Sequence, residues 1–271
     1  MSNILLIGDI VGYGNLGMSV MIPILSKMGY GIYRMPTSIV SNNFSYGKFA
    51  VLDTTDYMSQ CIDIWENIGF SADAVATGYL VSERQTRMVA DYCLKLKARG
   101  TRVFVDPIMA DDGKLYNGAT EKTIGYMREI CKVADLMVPN FTEAKFLAGK
   151  YIGENSLTYD EAVDLAGILH EMSGGSVVVS SMVIDDKHCT FLLDDSNGQC
   201  KIFPYNQIPA QFSGTGDVFA SILFGQFLKN VPIQQSVQNA MDFVYDMIVR
   251  NQNSQKPENG IMIEKFLNDI V

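Results

Sequence analysis

The chain has 271 residues, 48% of them apolar, which is enough to bury one sizeable core, and its formal net charge is −9. That charge argues against a nucleic-acid surface, which needs a basic field, while leaving room for a local basic pocket around a small phosphate compound. The five cysteines (Cys61, Cys93, Cys131, Cys189 and Cys200) are scattered, with no C-x-x-C pair and an odd total, which fits free thiols rather than a disulfide framework. With His170 and His188 as the only histidines, a multi-histidine metal site is excluded and a Ser-His-Asp triad has little to draw on.

The opening MSNILLIGDIVG has no basic segment ahead of its apolar run, and Asp9 interrupts that run early. It reads as a first core strand and not as a signal peptide. No apolar run has the length of a membrane span, so the expectation is a soluble, cytoplasmic protein. Strands are predicted at Ile4 to Ile7, Gly31 to Met35, Ala74 to Thr77, Arg102 to Val105, Leu136 to Val138 and Ser176 to Ser180. Helical spacing lies between them, at Leu16 to Met28, Tyr57 to Ile68, Glu83 to Lys97, Thr120 to Cys131 and Tyr159 to Met172. This alternation predicts an α/β fold with a mainly parallel sheet covered by helices on both faces. After Ser181 an antiparallel hairpin is expected, His188 to Leu193 with Gln199 to Pro204. Helices Thr215 to Lys229 and Ile233 to Arg250 follow, then a polar loop at Asn251 to Asn259 and a final helix at Ile261 to Ile270. With no repeat or interdomain linker, residues 1–271 read as a single domain.

In open α/β sheets a ligand sits beyond the carboxyl ends of the strands, where four polar clusters fall. GDIVGYGNLG (Gly8 to Gly17) is rich in glycine before a helix, and its Asp9 could bond a substrate hydroxyl or ring nitrogen or serve only as a turn residue. Its glycine spacing is too weak a signal for a dinucleotide fold. VDPIMADDGKLYNG (Val105 to Gly118) puts Asp106, Asp111 and Asp112 beside Lys114, a cation and phosphate neighbourhood or an acidic surface loop. In VPNFTEAKFL, Asn140 and Glu143 have capping-box spacing, which by itself explains the pair. In FSGTGDVFA, Gly214, Thr215 and Gly216 can turn backbone N–H groups toward an anion at a helix start, with Asp217 in the first turn. A carboxylate there is badly placed to bind phosphate but well placed to take a proton from an alcohol attacking a phosphoryl group.

Taken in order, YGNLGMSVMIPILSKMGYGIYRMPTSIVSNNFSYGKF, TGYL, VDPIMADDGKLY, PNFTEAKFLAG, VVVSS and SGTGDVFAS resemble the pyridoxal (vitamin B6) kinases of the ribokinase-like superfamily over nearly the full length. The resemblance implies a three-layer α/β/α fold and ATP-dependent phosphorylation of the 5′-hydroxymethyl group of pyridoxal, pyridoxine or pyridoxamine. It implies that Asp217 is the base and that Gly214, Thr215 and Gly216 form the anion hole. Asp106, Asn140, Glu143, Ser180 and Ser181 would bind ATP, and Asp106 and Glu143 would hold Mg²⁺ through water or phosphate. Asp9, Thr37 and Tyr79 would line the vitamin pocket, and Asp111 to Gly118 would be a flap over ATP. K⁺ is a further ion to test, and a homodimer is implied. One departure stands out: Asp9 replaces the serine common in the family, which leaves the reaction type alone and bears on the preferred vitamer. A hydroxymethylpyrimidine kinase, a sugar or nucleoside kinase, and a non-catalytic B6-binding protein are the rival readings; no inserted lid supports the second.

Overall fold

The computed structural model describes residues 2–254 and 256–270. In chain order the elements begin β1 (Asn3–Val11), α1 (Met18–Lys27), β2 (Gly31–Val40), β3 (Val51–Asp53), α2 (Thr55–Asn67), β4 (Ala74–Thr77), α3 (Glu83–Lys97) and β5 (Arg102–Val105). They continue with β6 (Ala110–Asp111), β7 (Lys114–Leu115), α4 (Glu121–Cys131), β8 (Leu136–Met137), α5 (Phe141–Ala148) and α6 (Tyr159–Ser173). Last come β9 (Ser176–Ile184), β10 (Lys187–Asp194), β11 (Gln199–Pro204), α7 (Thr215–Leu228) and α8 (Ile233–Asn251). The chain forms two compact units, Met1–Val81 with Ile208–Val271, and Ser82–Gln207.

In the first unit the strand order is β4-β1-β2-β3, with β1 parallel to both neighbours and β3 antiparallel to β2. Ile4, Leu5, Leu6 and Ile7 are all fully buried. Successive strand side chains point to opposite faces, so such a run requires cover on both. The β1–β2 register shifts between Gly8 and Asp9: Gly8 pairs with Pro36 and Asp9 with Ser38, which leaves Thr37 as the extra residue of a bulge. Strand β1 therefore continues to Val11, past the expected end at Ile7, and Asp9 lies inside it. Helix α7 packs on α1 and α8, and every residue from Val218 to Gln226 is buried.

The expected final helix is absent. Residues 261–270 instead form two 3-10 turns, Ile263–Lys265 and Leu267–Asp269. A ten-residue stretch is a marginal helix on its own, and here Ile261, Ile263 and Phe266 anchor it separately as buried side chains. Of the expected loop Asn251 to Asn259, Asn251 closes α8, Pro257–Asn259 is a 3-10 turn, and position 255 lies outside the described residues.

In the second unit the order is β5-β8-β9-β10-β11; β5, β8 and β9 are parallel, while β10 and β11 are antiparallel. The predicted hairpin is present. Asp194 stabilises its turn by accepting from the Ser196 N–H (3.0 Å) and hydroxyl (2.7 Å). A second small hairpin, β6–β7, was not expected. Its two-residue turn is Asp112-Gly113, both at positive φ (47° and 75°), the sequence pair that such a turn favours.

Candidate active site

In the first unit, the chain leaves β1, loops through glycines and starts α1 at Gly17, whose φ of 54° and ψ of −134° suit glycine. Gly17 N–H donates to Asp217 Oδ2 (2.9 Å), across 200 residues of sequence. A Cβ at Gly17 would lie 2.6 Å from Asp9 Oδ1 and 3.0 Å from the Asp9 carbonyl oxygen. One glycine thus separates two carboxyl groups. Burial pushes Asp217 up to about 6, opposed by the Gly17 N–H. Burial, then the neighbouring Asp217, push Asp9 up to about 7.

Asp217 belongs to the first turn of α7, which Gly214 opens at φ 83°. A Cβ at Gly214 would run into the Asn15 carbonyl oxygen, so the close approach itself demands glycine. The first N–H groups of a helix lack intrahelical acceptors and lie at the positive end of its dipole. At Gly216 a Cβ would meet nothing within 4 Å, so the space over this turn is open. Thr215 Oγ1 is turned back to the Phe212 carbonyl (3.2 Å).

Thr37, the bulged residue, donates through Oγ1 to the Tyr79 carbonyl (2.8 Å). Phe44 meets Tyr79 edge-on at 5.6 Å and Phe49 at 4.5 Å between ring centroids. The sequence reading named Thr37 and Tyr79 individually and did not single out the rings beside them. It also missed Asn43, which caps the 3-10 turn Phe44–Tyr46. Asn43 Nδ2 donates to Ser213 Oγ and to the Glu258 carbonyl, both at 2.8 Å, tying this stretch to the chain just before the anion turn. Asn259 bonds the hydroxyls of Tyr13 and Tyr46. A run of Asn-Asn before aromatics is the one local signal that pointed here.

In the second unit, Asn140 and Glu143 form the expected capping box, each side chain accepting from the other's N–H at 2.9 Å. Glu143 does more. Its Oε1 accepts from Met109 N–H (2.9 Å) and Ala110 N–H (3.3 Å), while Asn140 Nδ2 donates to the Ala110 carbonyl (2.7 Å). Gly113 N–H donates to Thr142 Oγ1 (2.9 Å). The start of α5 thereby anchors the β6–β7 hairpin, the expected flap. Burial pushes Glu143 up to about 8, against three N–H donors that favour its charge. Ser180 and Ser181 lie inside β9, which extends to Ile184; Ser180 N–H donates to the Pro139 carbonyl (3.0 Å) and Ser181 has φ 54°.

Among the described residues no group of three or more His, Cys, Asp or Glu is arranged to hold a metal ion. Asp106 and Glu143 both act on the buried Cys131 thiol, which places them in one neighbourhood. Because three N–H groups already engage Glu143, the pair suits a Mg²⁺ held mainly by water and phosphate oxygens rather than by a protein cage. Removing the side chain in Glu143→Ala strands three N–H groups, two of them in the loop before the flap. That variant is expected to lose about 3 kcal/mol or more of stability. Glu143→Gln should lose less, and faster amide exchange at Met109 and Ala110 in the alanine variant is the local readout.

A sequence model of the family described as phosphomethylpyrimidine kinase matches residues 24–262. The pyridoxal kinase of Bos taurus is 28% identical over 257 residues, covering 87% of this chain and 81% of the relative. A Bacteroides thetaiotaomicron protein described as a candidate phosphomethylpyrimidine kinase, crystallised with pyridoxal, is 27% identical, with a TM-score of 0.94 over 99% of this chain and 95% of that one. The pyridoxal kinase of Leishmania donovani, solved with ADP and pyridoxamine, is 23% identical and shares the fold, with a TM-score of 0.87 over 100% of this chain and 96% of that one. The expected three-layer α/β/α fold is borne out.

Proposed function

The chain belongs to the phosphomethylpyrimidine kinase family, and from that premise we propose that it transfers the γ-phosphoryl group of ATP to the 5′-hydroxymethyl group of pyridoxal, pyridoxine or pyridoxamine. The observation that carries this is a part-buried carboxylate, Asp217, in the first turn of a helix, with open space beside Gly216 in the same turn. A helix start alone would bind an anion; the added base suits an alcohol attacking one.

In this reading Asp217 takes the alcohol proton, and the N–H groups of the turn Gly214, Thr215 and Gly216 stabilise the transferring group. Asp9, Thr37 and Tyr79 hold the vitamer, and the rings of Phe44 and Phe49 extend an aromatic wall suited to a flat heterocycle. Asp106, Asn140, Glu143, Ser180 and Ser181 serve the nucleotide, with Asp111 to Gly118 as its flap. Mg²⁺, held by Asp106 and Glu143 through water and phosphate, would neutralise phosphate charge. Residues 1–271 act as one kinase domain in a cytoplasmic homodimer, and K⁺ is an accessory ion.

The likeness to the Bacteroides protein crystallised with pyridoxal favours a B6 vitamer. The description of the matching family keeps hydroxymethylpyrimidine as the second candidate. A coupled ATP-consumption assay with Mg²⁺ and K⁺, run across three vitamers and hydroxymethylpyrimidine, is expected to show turnover on at least one vitamer with the highest kcat/KM. Higher kcat/KM on hydroxymethylpyrimidine would replace the substrate, and no consumption of any would remove the kinase reading.

A further inference from the structure

Two acidic side chains meet the same glycine without a cation between them. Asp217 takes the N–H of Gly17, and Asp9 packs against its Cα face. Given the covalent dimensions of one residue, their nearest oxygens lie within about 8 Å of each other. No cation is among the groups that shift either carboxyl, and several cationic side chains of this unit are engaged elsewhere. Arg34 of β2 donates to the Ile32 carbonyl, Lys27 of α1 to Asn268, Lys229 after α7 lies over the Tyr30 ring, and Lys256 acts on Tyr13. Glu258 meets Tyr46. Ser38 is the register partner of Asp9 on the parallel strand β2, and paired side chains on parallel strands share a face. Its hydroxyl is buried with no hydrogen-bond partner, a polar atom left over beside Asp9.

We propose that Asp9 and Asp217 work as a carboxyl pair that carries one proton at neutral pH, with Asp217 ionised and Asp9 protonated, so that Asp9 donates a hydrogen bond to an acceptor atom of the substrate ring. This rests on the reading of Asp217 as the base. Two acids this close, Asp9 buried and Asp217 part-buried, resist double ionisation, so their protons leave in two steps. The first charge settles on Asp217, because the Gly17 N–H points at it. Asp9 keeps its proton longer, since burial and the charge on Asp217 outweigh the backbone N–H of Asp9 itself. A protonated carboxyl is a donor as well as an acceptor, whereas an ionised one only accepts. The pair therefore gives one site both a base for the alcohol and a donor for a neutral ring nitrogen, and it loses the donor as pH rises.

Two measurements test this. Carboxyl ¹³C NMR titration of the substrate-free, Asp-labelled protein, assigned by difference with Asp9→Asn and Asp217→Asn, reads the coupling directly. The midpoint of Asp9 is expected to fall by about one pH unit or more in Asp217→Asn; an unchanged midpoint overturns the pair. The pH profile of kcat/KM is expected to fall on the alkaline side in the wild-type protein, and that limb should vanish in Asp9→Asn, whose amide donates at every pH. Superimposable profiles overturn the donor role. If the midpoint shifts but no vitamer is phosphorylated, the pair stands and the kinase reading fails; turnover with no shift has the opposite meaning.

Discussion

Asp217→Asn is expected to lower kcat by about 10²–10⁴-fold, the usual range for losing a positioned general base, with KM for the vitamer changed little. The amide oxygen can still accept the Gly17 N–H, so the turn keeps its geometry and only the proton acceptor is lost. The same substitution should stabilise the protein above neutral pH. In the folded state Asp217 is raised from 3.8 to about 6, so the folded protein binds its proton more tightly than the unfolded chain does. Native stability from that proton is complete below pH about 3.8 and is lost as pH rises through about 6. Asparagine has no proton to lose. Because Asp217 keeps some exposure, the gain at pH 8 is expected between about 1 and 3 kcal/mol, vanishing toward pH 4. Thermal melts of both proteins at pH 4 and pH 8, beside steady-state kinetics, check both halves. Near-normal turnover would remove Asp217 from the role of base.

Gly17→Ala is expected to harm both stability and turnover. Its backbone lies in a region that side chains rarely enter, which costs of order 1–3 kcal/mol. The new methyl would also meet the Asp9 carboxyl at 2.6 Å and the Asp9 carbonyl at 3.0 Å. The carboxyl could rotate away, but the carbonyl belongs to β1, where Asp9 is held in register with Ser38 of β2. Relief must come from shifting Gly17, and with it the N–H that orients Asp217. A displacement of about 1 Å at a catalytic group lowers the rate about 10²-fold. The variant should melt several degrees lower and lose kcat well beyond what its remaining folded fraction explains. Normal kcat per folded molecule would show that the Gly17 contact does not position the base.

The glycine cluster illustrates what can and cannot be read locally. Gly214 and Asp217 are legible because turn, helix start and acid occupy four consecutive positions. Gly17 is not, since its constraint comes from side chains 8 and 200 residues away. Asn140 and Glu143 were legible as a capping box, yet the two N–H groups just before the flap that also donate to Glu143, those of Met109 and Ala110, lie 34 and 33 residues upstream. Asn43 carries no signature of its bond to Ser213, 170 residues on. The Asp112-Gly113 pair did encode the β6–β7 turn, but strands of two residues are too short to show a period.

By itself, then, the sequence determined the order of most strands and helices, the β10–β11 hairpin and the glycine turn that opens α7, because hydrophobic period, capping and turn chemistry all act within a few residues. The same range explains the error at residues 261–270, where helical spacing was real but buried anchors at Ile261, Ile263 and Phe266 fix separate turns. Only the tertiary structure decided that Asp9 lies inside β1 beside a bulge and that it shares Gly17 with Asp217, with no cation among the described groups that shift either carboxyl. Those facts follow from strand register and helix packing, which bring distant residues together after the chain has folded and leave no periodic trace along it.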